Sequence, residues 1–177
     1  MKLKFATVWL DGCSGCHMSF LDMDEKLLEL NEKVEVVCSP YVDMKEFPDG
    51  VDLVLVEGAV SGEEDVEKLK LIRKKAKKII AFGDCAVTGN VTAMRNICGL
   101  EEAFETAYVK NTNITSESFP APVLPTQLET VVPLNEVVHI DYFLPGCPPP
   151  AAAISEMLFA LIEGREPDIT NLTRFGK

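Results

Sequence analysis

The stretch Lys4-Phe5-Ala6-Thr7-Val8-Trp9-Leu10-Asp11-Gly12-Cys13-Ser14-Gly15-Cys16-His17 sets the reading of the whole chain. Its first seven residues alternate in character and favour β-branched and aromatic side chains, the pattern of a strand. That strand opens at once into a loop carrying two cysteines. The same construction returns twice: Lys78–Phe82 runs into Gly83-Asp84-Cys85, and Val137–Leu144 runs into Pro145-Gly146-Cys147-Pro148. In an open α/β sheet the loops at the carboxyl ends of parallel strands meet along one edge, where ligands bind. Three separated loops are therefore expected to bring Cys13, Cys16, Cys85 and Cys147 to one place.

Helices and strands alternate between these loops. Phe20, Met23, Leu27 and Leu30 recur at helical spacing. Val34–Cys38 reads as a second strand and Val51–Glu57 as a third, nearly continuous in apolar residues as buried parallel strands are. Ser61 is placed to cap a helix that has acidic residues in its first turn and lysines in its last, with Val66, Leu69, Ile72 and Ala76 on its inner face. A short helix is expected near Glu101–Thr106. The prolines of Phe119–Pro125 make that stretch irregular, and a last helix spans Ala151 to Glu163. The fold class that follows is α/β: a flavodoxin-like three-layer domain with a mostly parallel sheet and the cysteines on loops at its carboxyl ends. We read residues 1–177 as one such domain, with an irregular insertion over about 107–136 and a C-terminal tail over about 165–177.

Bulk properties narrow the function. A net charge of −11 argues against nucleic acid as a partner and against an anionic membrane surface. The lysine-rich stretch Arg73–Lys78 closes a predicted helix and answers its dipole. No apolar run approaches the roughly 18 residues of a membrane span. The N-terminus lacks a signal-peptide cleavage site, so a cytoplasmic location is expected. Six cysteines in a reducing compartment point to metal binding or catalysis ahead of a disulfide framework.

Thiolates are soft ligands for zinc, copper(I) and iron–sulfur clusters. A Cys-x-x-Cys pair alone would also fit thioredoxin-like chemistry, but that leaves Cys85 and Cys147 unused. Structural zinc usually draws on two paired motifs. Here one pair is followed by two singletons, about 70 and 130 residues downstream. That arrangement favours a cluster held across several loops over zinc, with redox or structural thiols as the remaining reading.

Cys13-Ser14-Gly15-Cys16-His17, Glu57-Gly58, Gly83-Asp84-Cys85-Ala86 and Pro145-Gly146-Cys147-Pro148-Pro149, in that order, resemble the small subunit of [NiFe] hydrogenases. The resemblance covers roughly residues 4–164 and is greatest to the short cytoplasmic small subunits of NAD-reducing, bidirectional hydrogenases. It implies one [4Fe–4S] cluster held by Cys13, Cys16, Cys85 and Cys147. It also implies a Ni–Fe centre in a partner large subunit, and electron relay towards diaphorase subunits carrying iron–sulfur and flavin groups. The homologous subunit of respiratory complex I typically has adjacent cysteines where this chain has Cys13-x-x-Cys16. No cysteine follows Cys147, so a single cluster is expected. No second Cys-x-x-Cys is present to supply the thiolates of a nickel site, and hydrogen chemistry must therefore depend on the partner.

Glu57 ends a strand at the cysteine edge, where the resemblance implies a proton route or a contact with the cluster's surroundings; the plainer reading is a solvated strand end or a polar contact to the neighbouring loop. His17 either hydrogen-bonds the cluster or faces the partner subunit, or it is polar surface at a helix start. His139 reads as a structural residue inside a strand. Cys38 and Cys98 read as partly buried thiols, Met18 and Met23 as core or interface, and Asp11 and Asp84 as turn residues. The irregular stretch near 115–135 is a candidate partner surface. Two further classes stand against the hydrogenase reading. A flavodoxin-like module binds FMN through a phosphate loop after its first strand, but Asp11 and two cysteines occupy that loop, which leaves FMN only elsewhere in the subunit. A structural zinc protein would be colourless and redox-silent.

Overall fold

The computed structural model describes residues 2–44, 46–111 and 124–176. Five strands, β1 (Leu3–Trp9), β2 (Val34–Cys38), β3 (Val51–Glu57), β5 (Ala76–Phe82) and β7 (Tyr142–Leu144), form one parallel sheet in the order β2-β1-β3-β5-β7. Counting only these strands, the order is 2-1-3-4-5, the doubly wound arrangement whose direction reverses between β1 and β3. β4 (Val60–Gly62) and β6 (Gln127–Val132) make a separate antiparallel pair.

Period-two alternation splits the sheet residues between two cores. Phe5, Leu53, Leu55, Ile80, Phe82 and Leu144 face one side. There they pack against Phe20 of α1 (Gly15–Leu21), Leu30 of α2 (Glu25–Lys33) and Ile154, Met157 and Leu158 of α6 (Ala151–Ile162). Ala6, Val8, Val54, Val56, Ile79 and Ala81 face the other side, covered by Leu69 and Ile72 of α3 (Glu63–Lys75) together with Leu134 and Ile140. Among the described residues no helix is long and apolar enough to cross a membrane.

Several details depart from the sequence reading. The helix expected through Phe20–Leu30 is two, broken where Asp24 adopts φ +48. The apolar face is nonetheless kept, because Met23 drops into the core at the break. Ser61 does not cap α3: the Asp65 carboxylate, from inside the helix, accepts the amides of Ser61 and Gly62 at 3.1 and 3.0 Å. The strand expected over Val137–Leu144 is reduced to Tyr142–Leu144, preceded by a 3-10 turn at Leu134–Glu136. Its early part cannot join the ladder because Asp141 turns its carboxylate onto the Ile79 amide at 2.7 Å and onto Arg73 at 2.6 Å. His139 accordingly lies outside any strand, with an exposed ring. The helix near Glu101 is α5 (Leu100–Phe104), which continues as a π-turn to Val109. The proline-bearing residues 119–123 lie outside the described residues.

Arg73 binds Asp141 and the carbonyls of His139, Ala76 and Lys77, pinning the entry of β7 to β5. Partial burial pushes the Asp141 carboxyl up, but the Arg73 guanidinium and the Ile79 amide hold it below its usual range. A carboxylate with a depressed folded pKa adds stability above its unfolded value of about 3.9, and this is lost as pH falls through the folded value. Asp141→Asn is therefore expected to cost about 1–2 kcal/mol at pH 7. The gap to the parent chain should narrow towards pH 3, as read by urea denaturation at both pH values.

Candidate metal centre

The site begins with the register of the sheet. Trp9 pairs with Glu57, and Glu57 with Phe82, so these three side chains stand in a row at the carboxyl edge on the face that carries α1. Glu57 is not solvated: it is 3% exposed. Its Oε1 accepts the Cys16 amide at 3.3 Å and its Oε2 the His17 amide at 3.1 Å, and Oε2 also contacts His17 Nδ1. A buried carboxylate needs such donors, because an unpaired charge costs several kcal/mol to remove from water. His17 is fully buried, not surface. Its ring lies edge-on against Trp9 at 5.2 Å and Phe82 at 5.8 Å. Its Nε2 is buried with no hydrogen-bond partner among the described residues.

The first cysteine loop leaves β1 beside the end of β3, where Asp11 and Ala59 exchange amide bonds of 3.1 and 2.7 Å. Gly58 makes this approach feasible. It sits at φ +92, and a Cβ there would lie 2.7 Å from the Asp11 carbonyl oxygen. The chain then turns through Ser14 in a left-handed conformation and starts α1, which presents the amides of Cys16 and His17 to Glu57. Ser19 of α1 donates to the Pro149 carbonyl at 2.6 Å, joining this loop to the one that carries Cys147.

Gly83-Asp84-Cys85 leads from β5 into α4 (Asp84–Thr88). Gly83 donates to the Leu144 carbonyl at 2.8 Å, and Asp84 exchanges two bonds with Gly146: amide to carbonyl at 2.9 Å, and Gly146 amide to Oδ1 at 2.6 Å. Asp84 Oδ2 receives the Gly176 amide at 2.7 Å, while Thr173 Oγ1 donates to the Pro145 carbonyl at 2.6 Å. Buried Asp84 is thus a clamp between two cysteine loops and the C-terminal segment. The turn role expected for Asp11 and Asp84 has this specific form.

The four cysteines lie close enough to influence one another electrically. Burial pushes the Cys16 thiol up strongly, and the charges of Glu57, Cys85, Cys13 and Cys147 push it further. Burial also raises Cys85, which the Val91 amide pulls back while Cys13 and Cys147 raise it again. No cationic side chain is among these influences. A pocket of thiols with a neighbouring carboxylate is complemented by a metal cation, which deprotonates coordinating thiols outright. Gly83 lets the Cys85 loop pass against the first cysteine pair, because at φ +86 a Cβ there would lie 2.1 Å from Cys16 Sγ. Among the described residues no three His, Cys, Asp or Glu side chains are gathered as the ligands of a single metal ion are. Cys13 and Cys147 are exposed, Cys85 is half-buried and Cys16 is buried.

The remaining candidates separate. Cys38 is half-buried as expected, whereas Cys98 is exposed. Met23 is core and Met18 is exposed beside the site. The His17–Glu57 pair had a sequence signal, since both residues end or follow the strand–loop units that meet at the edge. What hid it was the register of β1, β3 and β5, which no single segment carries.

Comparison with known proteins gives this edge a family. Residues 13–161 match the family described as NADH ubiquinone oxidoreductase, 20 Kd subunit, and the chain belongs to it. It is 42% identical over 172 residues to the delta subunit of the NAD-reducing hydrogenase HoxS of Cupriavidus necator, a match covering 95% of this chain and 82% of that one. Against the iron-sulfur subunit of the F420-non-reducing hydrogenase of Archaeoglobus profundus the identity is 37%, over 94% of this chain but only 58% of the relative. The crystal structure of an NAD+-reducing [NiFe]-hydrogenase in the H2-reduced state contains a chain that superposes with a TM-score of 0.92 at 38% identity, covering 99% of both chains.

Gly83→Ala should displace the Cys16 sulfur and abolish metal retention. Gly99→Ala serves as control, since it imposes the same φ of +86 in open space and should cost only the roughly 1–2 kcal/mol of left-handed strain. Iron and sulfide assays on anaerobically purified variants separate the two.

Proposed function

We propose that this chain is the electron-transferring small subunit of a cytoplasmic, NAD-linked [NiFe] hydrogenase, a single domain in which Cys13, Cys16, Cys85 and Cys147 hold one [4Fe–4S] cluster. The observation that carries the reading is the convergence of these four cysteines at the carboxyl edge of the sheet, in a chain so similar to the HoxS delta subunit. A cluster bound there supplies one-electron transfer between the hydrogen-splitting centre and the NAD-reducing module. The chain's own residues hold it: Cys16 from the head of α1, Cys85 from α4, and Cys13 and Cys147 from the exposed rims of their loops. The Ni–Fe centre belongs to a partner large subunit, and diaphorase subunits take the electrons onward. Trp9, Met18 and Tyr41 expose apolar surface beside the cysteine edge, and we assign that surface to the large subunit in place of residues 115–135, part of which lies outside the described residues.

The competing zinc reading would use the same thiols but gives a colourless, redox-silent centre without labile sulfide. The flavin reading needs a phosphate loop after β1, and that loop is committed to Cys13 and Cys16.

The test is anaerobic purification of the tagged chain with its native partners, followed by assay of hydrogen-dependent NAD+ reduction. A brown preparation with about four irons and four sulfides per chain is expected, with NADH formed under hydrogen. Serine at Cys16 or Cys85 should remove the cluster and the activity together. An intact preparation that makes no NADH would overturn the NAD-linked assignment. Glu57 keeps a proposed part in a proton route: Glu57→Gln should slow turnover at unchanged iron content, and full activity would exclude that role.

A further inference from the structure

Beyond the four cysteines, Gly89-Asn90-Val91-Thr92 is a segment that turns hydrogen-bond donors onto two of the candidate ligand sulfurs. Asn90 has φ +36, a left-handed conformation that asparagine tolerates far better than branched residues. From there its carboxamide nitrogen donates to Cys147 Sγ at 3.4 Å, although 57 residues separate the two in sequence. The amides of Val91 and Thr92 act on Cys85. One loop thereby serves two ligand-bearing loops. The opposite side of the site differs: Cys16 has the Glu57 carboxylate beside it, and Cys13 receives the Gly15 amide at 3.4 Å.

The carboxamide of Asn90 is not spent on closing its own turn. Thr92 Oγ1 to the Gly89 carbonyl at 2.6 Å and the Ala93 amide to the same carbonyl at 3.0 Å already do so. The carboxamide is directed instead at the Cys147 sulfur. Hydrogen bonds to ligand sulfurs are among the terms that set the potential of an iron–sulfur cluster, because reduction adds negative charge that the donor stabilises.

We propose that Asn90 is a positioning residue that tunes electron transfer: its carboxamide, donated to the Cys147 sulfur, favours the reduced cluster and holds the reduction potential higher than the site would otherwise have. The step concerned is the gain of one electron by the cluster, with no proton taken up at Asn90 and no bond made or broken there. The inference rests on Cys147 being a cluster ligand, as proposed above.

The experiment compares the purified hydrogenase complex carrying the parent chain, Asn90→Gly or Asn90→Asp, by iron and sulfide content and by EPR-monitored potentiometry of the cluster. Glycine accepts the left-handed backbone without strain and removes only the donor. Aspartate keeps the shape and turns an anionic acceptor towards the sulfur. The expected result is full iron and sulfide in both variants, a more negative midpoint potential for Asn90→Gly, and a still more negative one for Asn90→Asp. Unchanged or raised potentials with the cluster intact would overturn the proposal while leaving the cluster assignment standing. Loss of the cluster from Asn90→Gly would also overturn it, since the carboxamide would then be needed to retain the metal and not to tune it. A parent complex without labile sulfide in this chain would remove the cluster assignment and this inference with it.

Discussion

A carboxylate buried at the end of the central strand is the constraint on which the site's geometry depends. Glu57 is almost wholly shielded from solvent, so it must collect donors from the chain, and it finds them in the first amides of α1 and in the ring of His17. α1 has only seven residues, too few for a helix to stand unaided. Its place is therefore dictated from outside, by Glu57 below and by the Ser19–Pro149 bond at its side. Trp9 and Phe82 wall in the His17 ring, which removes alternative settings for the first cysteine pair. The position of Cys16 is thus inherited from sheet register.

The other two loops are tied in the same manner. Gly83, Asp84, Leu144 and Gly146 exchange bonds that lock the Cys85 loop against the Cys147 loop, and Ser19 carries the connection back to α1. The result is a belt of hydrogen bonds running through all three loops, so each cysteine is held by bonds made to the loop beside it. Such outer contacts orient ligands and set their electronic surroundings. They also explain why the cysteines can lie so far apart in sequence: the belt and the parallel strands, not the connecting segments, define their spacing.

Much of this was legible beforehand. The alternation of Lys4–Leu10, the apolar run Val51–Glu57 and the three strand–cysteine junctions were local patterns, and local patterns survive being read one segment at a time. The expectation that the cysteine loops meet along one edge follows from the rule for parallel sheets, whereas the strand order came only from the pairing of the strands. What escaped was set by partners distant in sequence. The burial of His17 depends on the register of three strands. The shortening of β7 depends on Arg73, 68 residues before Asp141. The β4–β6 pair unites residues that neither flanking pattern links, and Asp65 caps α3 from within the helix, where a search for capping residues in front of it does not look. Asn90 showed no sign of its role, because an asparagine after glycine reads simply as a turn.

The uneven burial of the four cysteines gives the site an order of wear. Oxidation and chelation follow exposure and thiolate character, so in the isolated chain Cys13 and Cys147 are the sulfurs that an oxidant or chelator reaches first, while Cys16 is buried and Cys85 half-buried. Damage to a bound cluster would start at the two rims and leave the remainder moored to the inner pair. A partly dismantled centre of the kind proposed would retain two of its anchors, and the belt around it would keep the vacated thiols in position for repair.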